Sequence, residues 1–105
     1  MHIKSKILDC TIRDGGYYNK WNFSDRFVSE YLKLMSKLNI EWVEIGFRKQ
    51  IEDKSYGQYI KTEDSVLQKI NIPKNISLAV MIDCSDFKTN DQLIKLSKIF
   101  KSKKK

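Results

Sequence analysis

The apolar positions of this chain fall into three successive units, each a short apolar block followed by a longer stretch at helical spacing. Residues 7–12 form the first block, short and β-branched enough to predict a strand. The glycine pair Gly15-Gly16 and a polar, aromatic loop follow. Ser24 then offers an N-cap, with Asp25 in the first turn, where the helix dipole favours a negative charge. Phe27, Val28, Tyr31, Leu32, Leu34, Met35 and Leu38 recur at the spacing of one helix. Asn39 suits the position just past its end.

The second unit opens with Trp42-Val43-Glu44-Ile45-Gly46 as a strand. After a long polar loop, Thr62 is placed to cap a short helix carrying Val66, Leu67 and Ile70, and Pro73 stands beyond its end, unable to prolong it. The third unit is a strand over residues 76–82, then a helix opened by Thr89 or Asn90 and carrying Leu93, Ile94, Leu96, Ile99 and Phe100. Strand centres about 35 residues apart match a β-strand plus a crossover helix, so the fold class is α/β with a parallel sheet. Three such units leave two sheet edges and one face without helices. Eight close into a (β/α)8 TIM barrel of roughly 250 residues. The expectation is therefore the N-terminal three βα units of an incomplete barrel, with residues 1–100 as part of a catalytic domain and 101–105 as a Lys-rich tail.

Composition narrows the partners. With 105 residues, 41% of them hydrophobic and 31% charged, the chain has material for one core. No apolar run approaches the ~18 residues of a membrane span, and the start lacks the apolar stretch of a secretion signal, so a cytoplasmic location is expected. The net charge of +7 invites a nucleic-acid reading, but seventeen of the twenty basic residues are scattered lysines and four of those sit in the last five positions. Neither a nucleic-acid nor a membrane partner is called for. Cys10 and Cys84 fit no zinc spacing and no disulfide framework, which predicts two reduced thiols.

Chemistry enters through polar residues inside the predicted strands. By strict alternation Asp9, Thr11 and Arg13 share one face of the first strand, Glu44 and Gly46 one face of the second, and Ala79, Met81 and Asp83 one face of the third. Asp9, Glu44 and Asp83 would then gather at the C-terminal strand ends, where parallel α/β proteins place their sites. Buried carboxylates are costly unless paired or metal-bound. Neighbouring strands lie ~4.8 Å apart, so an arginine ending the first strand reaches Glu44 on the second. First and third strands are ~10 Å apart, beyond disulfide reach for Cys10 and Cys84.

The stretch Leu8-Asp9-Cys10-Thr11-Ile12-Arg13-Asp14-Gly15-Gly16, with Glu44-Ile45-Gly46-Phe47-Arg48 a helix later, resembles the opening of the DRE-TIM metallolyases. That superfamily includes HMG-CoA lyase, the pyruvate carboxyltransferase domain and 4-hydroxy-2-oxovalerate aldolase. The likeness is greatest to an aldolase-like branch, which Tyr17-Tyr18-Asn19-Lys20-Trp21 and Val80-Met81-Ile82-Asp83 also resemble. The resemblance implies a metal-dependent aldolase or lyase that makes or breaks a carbon–carbon bond in a 2-oxo acid or acyl substrate through an enolate. It implies Arg13 as the group stabilising the enolate oxygen, Glu44 as the residue that holds Arg13 or aids proton transfer, and Asp14 as a ligand of Mg²⁺ or Mn²⁺, or of Zn²⁺ where histidines join the site. Asp9 and Asp83 are further candidates for contact with substrate.

Two departures bear on this. The family completes its metal site with a His-x-His pair late in the barrel, and the single histidine here is His2. Gly16, Tyr17 and Tyr18 stand where the hydroxyoxovalerate aldolases carry a histidine base. The 105-residue piece is accordingly expected to be inactive alone and to self-associate through its unpaired sheet edges. Two other readings stay open: a non-enzymatic basic α/β module for nucleic acid or an anionic surface, and a small α/β protein that has lost catalysis.

Overall fold

The computed structural model describes residues 5–86 and residue 91. The helix expected from residue 89 or 90 onward, the Lys-rich tail and His2 lie outside the described residues.

Three strands, β1 (Leu8–Asp9), β2 (Trp42–Phe47) and β3 (Ser77–Met81), pair in parallel in the order β1-β2-β3, an open α/β sheet in sequential order. Helix α1 (Thr11–Asn19) and helix α2 (Asp25–Lys37) connect the first two strands, and a 3-10 turn (Gln58–Ile60) and the one-turn α3 (Asp64–Leu67) lie between β2 and β3.

Helix α2 forms as its sequence dictates. Ser24 Oγ accepts the Phe27 amide at 3.0 Å, Asp25 occupies the first turn and Lys37 the last. Asn39 takes the left-handed conformation just past the end, at φ 57°. Its inner stripe, Val28, Leu32 and Met35, is buried in one core with Val43 and Ile45 of β2 and with Tyr59, Ile60, Val66, Leu67, Ile70 and Ile76. Each such aliphatic side chain contributes about 1.5–3 kcal/mol on leaving water.

Three expectations need correction. The first strand ends at Asp9, and residues 11–19, with both glycines, are helical. Asp9 turns the chain by accepting from Thr11 Oγ1 at 2.9 Å and from the Thr11 amide at 3.3 Å, and the Asp14 amide then bonds the Cys10 carbonyl. Glycine is a poor helix former, so a tertiary contact wins here. Gly16 is buried against the Trp21 indole, and a methyl group at that position would overlap the ring.

The second correction concerns Thr62. Its hydroxyl donates to the Tyr59 carbonyl at 3.0 Å and it is fully buried at φ 43°, so Glu63 occupies the N-cap position of α3.

The third is the alternation of β2. The register runs Glu44 to Ala79, then Gly46 to Val80 and Phe47 to Met81, so a bulge inserts one residue. Ala79 and Met81 share a face of β3, which puts Glu44 with Phe47, and Gly46 on the opposite side against the Tyr59 carbonyl. Asp9 pairs with Val43, one position before Glu44. It therefore faces α2, where it accepts from the Tyr31 hydroxyl at 2.7 Å, and does not share a face with Glu44.

Two phenols thus tie α2 down: Tyr31 to Asp9 and Tyr59 to Asp25, the latter at 3.3 Å. Burial pushes the Tyr31 phenol from its ordinary 10 up to about 12, with Asp9 adding to the shift. Burial also raises Tyr59, next to Asp25. A phenol whose folded value lies above its unfolded one stabilises the fold fully below pH 10 and loses that contribution as pH rises toward 12. Denaturant midpoints should therefore fall between about pH 9 and about pH 11, and less steeply in Tyr31→Phe. Equal midpoints at the two pH values would contradict the burial of these hydroxyls.

Candidate active site

At the C-terminal end of β2 the backbone delivers Glu44, Phe47, Arg48 and Lys49 in quick succession. The Glu44 side chain is only 8% exposed, and a carboxylate so placed needs a partner. Arg13, in the first turn of α1, supplies it: Arg13 Nε donates to Glu44 Oε1. This bond raises the guanidinium above its already high ordinary value, so Arg13 stays charged. The Phe47 ring lies 6.0 Å from the guanidinium carbon, and Asp14 Oδ1 is 3.7 Å from Nη1.

Aromatic packing fixes this arginine. Trp21 is buried, with its Nε1 donating to the Arg13 carbonyl at 2.8 Å. Its ring meets Phe47 edge-on at 5.4 Å and Tyr17 at 4.8 Å, each a favourable geometry for aromatic pairs. The sequence left open whether Tyr17, Tyr18, Trp21 and Phe23 pack as core or line a pocket. Trp21 is core, Tyr17 lies half over it, Phe23 stacks on Phe27, and Tyr18 is 95% exposed.

The named residues separate into two groups. Arg13, Glu44 and Asp14 come together at the end of β2, although Arg13 reaches Glu44 from a helix and not from a strand. Asp83 lies beyond β3, where it accepts from Ser85 and from Lys49 Nζ at 3.4 Å, contacts that hold its carboxyl below the usual range. Asp9 points the other way and serves as a turn and helix anchor.

Sequence reasoning passed over Lys49, which lies 5.3 Å from the Phe47 ring and pairs with Asp83 and, at 3.9 Å, with Asp86. It also passed over Arg48, which is buried and bonds Asp64 Oδ1 at 2.9 Å. Two basic residues directly after an apolar strand were the available signal. Cys10 and Cys84 are both free.

Asp14 is exposed and a hard carboxylate, suited to Mg²⁺ or Mn²⁺. Among the described residues, however, no three His, Cys, Asp or Glu side chains converge on a common point. These residues do not by themselves fit a metal.

The class defined so far is an open, parallel α/β sheet with a fixed arginine–carboxylate pair at the C-terminal end of its central strand. Among solved structures, the chain is similar to the N-terminal domain of a protein described as a putative aldolase from Bacteroides vulgatus, at 36% sequence identity and a TM-score of 0.76. The match covers 88% of this chain and 30% of that one, so the chain spans under a third of its neighbour's length. No family model and no curated protein sequence matches. Among the described residues, no helix is long and apolar enough to cross a membrane.

Removing Arg13 strands Glu44. Arg13→Met should cost about 3 kcal/mol, in the range for breaking a buried pair, and Arg13→Met/Glu44→Gln should recover part of that loss, because no uncompensated charge is then left behind. Chemical denaturation of the two variants measures both effects. An equal loss in both would mean that Arg13 matters for packing alone.

In a second test, thiol alkylation without reductant should add two labels per chain, with Cys84, which is exposed, reacting ahead of the half-buried Cys10. A two-dalton mass deficit with no label would contradict the free thiols.

Proposed function

We propose that this chain is the N-terminal part of a (β/α)8-barrel aldolase or lyase that acts on a 2-oxo acid or acyl substrate through an enolate. The observation that carries this reading is the ion pair between Arg13 and the buried Glu44 of the central parallel strand. The likeness in fold to the N-terminal domain of the protein described as a putative aldolase supports it.

The chemistry follows from charge. When a carbon–carbon bond next to a carbonyl breaks, its electron pair delocalises onto the carbonyl oxygen. A preorganised cation close to that oxygen lowers the barrier, because no reorganisation is needed at the moment of reaction. Glu44 fixes Nε of Arg13, Trp21 bonds its backbone carbonyl, and the Nη groups, one of them 3.7 Å from Asp14, would turn to an oxyanion when substrate binds. The pairing also keeps the buried Glu44 carboxylate from being stranded. Its rigid hold keeps substrate binding from having to order a long side chain. In this reading Asp14 is a metal ligand, the other ligands come from outside the described residues, and Asp83 with Lys49 borders the substrate. A cytoplasmic enzyme with a small-molecule substrate, and no nucleic-acid or membrane partner, belongs to the same reading.

Oxalate, a planar dianion shaped like the enolate of pyruvate, tests the reading on the chain as it stands. Titration followed by NMR should shift the Arg13 side-chain and Trp21 indole signals at millimolar oxalate, and Arg13→Gln should abolish the shifts. Mn²⁺ should bind no tighter than about millimolar, as expected for a site with one protein carboxylate. Oxalate shifts no larger than those from acetate, or unchanged in Arg13→Gln, would overturn the oxyanion role. Micromolar Mn²⁺ binding would overturn the incomplete-site reading.

A further inference from the structure

Helix α2 carries two apolar stripes, and the core uses one of them. The second consists of Phe27, Tyr31, Leu34 and Leu38, spaced four, three and four residues apart. Phe27, Leu34 and Leu38 are 48%, 51% and 58% exposed, an apolar row on a helix whose remaining outer positions are charged or polar. The rings along this row are already ordered: Phe23 stacks on Phe27 at 5.6 Å and Phe27 on Tyr31 at 6.2 Å, and the Tyr31 hydroxyl is held by Asp9. Alternating spacings of four and three are those of the seam by which one helix packs along another.

The charges beside the seam say which partner fits. Glu30 lies between Phe27 and Tyr31, and Lys37 lies between Leu34 and Leu38, both exposed and both on the same flank of the row. If a second α2 runs antiparallel, Phe27 meets Leu38 of the other copy, Tyr31 meets Leu34, and Glu30 falls opposite Lys37. A two-fold axis makes that ion pair twice. A parallel pairing would set Glu30 and Lys37 toward the partner's other flank, where Val28 and Met35 face the core, and would make neither ion pair.

We propose that α2 is a homodimerisation surface, joining two copies of this chain through an antiparallel α2–α2 contact centred between Tyr31 and Leu34. The proposal does not rest on the enzymatic reading, since the seam lies on α2 and includes neither Arg13 nor Glu44. It also differs from association through open strand edges, which would be indifferent to charges on α2.

Sedimentation equilibrium of the 105-residue chain over a range of concentrations is the test, with circular dichroism to verify folding of each variant. The wild type should show a monomer–dimer equilibrium. Leu34→Glu, at an exposed position, should abolish it without unfolding the chain. Glu30→Lys alone and Lys37→Glu alone should each weaken the dimer by roughly tenfold, since each replaces two attractive pairs by two repulsive ones. The double variant Glu30→Lys/Lys37→Glu should restore wild-type association, and added salt should weaken the wild type. A strictly monomeric wild type, or association that ignores the charge exchange, would overturn the proposal. The latter result would point to sheet-edge pairing or to a different segment seated on the seam.

Discussion

Glu44 is a carboxylate on the middle strand of a three-stranded sheet, with its side chain almost wholly withdrawn from water. The idealised cost of burying such a charge exceeds the whole stability of a small domain, so the fold has to bring it a cation. Much of the upper sheet serves that need. Asp9 breaks the first strand early, α1 starts at once, and its first turn carries Arg13 over the end of β2. Gly16 lets the Trp21 indole close against the helix, and the indole then bonds the Arg13 carbonyl. The β2 bulge brings Phe47 to the same face, under the guanidinium. Each device carries a local cost, in helix propensity, in left-handed backbone at Lys20 and Trp21, or in ladder regularity.

The same arrangement separates anchoring from chemistry. On the helix-covered face, Asp9 and Asp25 accept from buried phenols and hold α2 to the sheet. On the other face and at the strand ends, Arg13, Asp14, Lys49 and Asp83 form a charged rim that remains partly open to solvent. Carboxylates of one residue type thus take opposite roles according to the face on which the register leaves them. A site whose central charge pair is held by a hydrogen bond and whose rim is open to solvent suits the proposed reaction, in which negative charge appears on a small substrate. The exposed seam of α2 lies away from this rim, so an association through it leaves the charged end free.

Much of the architecture was legible in the sequence. The three-unit rhythm of the described strands, their parallel and sequential order, the N-cap at Ser24, the left-handed Asn39 and the meeting of Arg13 with Glu44 all follow from spacing and residue chemistry. These are local properties, or they follow from the ~4.8 Å spacing of adjacent strands. Tertiary structure alone decided that the Arg-Asp-Gly-Gly segment is helical, that Thr62 is a buried donor, and that Asp9 turns from the site. It also decided that Lys49 joins the site. The physical reasons differ. The helix holds against its glycines because Trp21 packs on it, Thr62 bonds the Tyr59 carbonyl, Asp9 pairs with Val43 and not Glu44, and the β2 bulge shifts the facing of the residues that lead to Lys49. Alternation along one strand carries the sequence's information about faces, and only the partner strand's register shows where that alternation breaks.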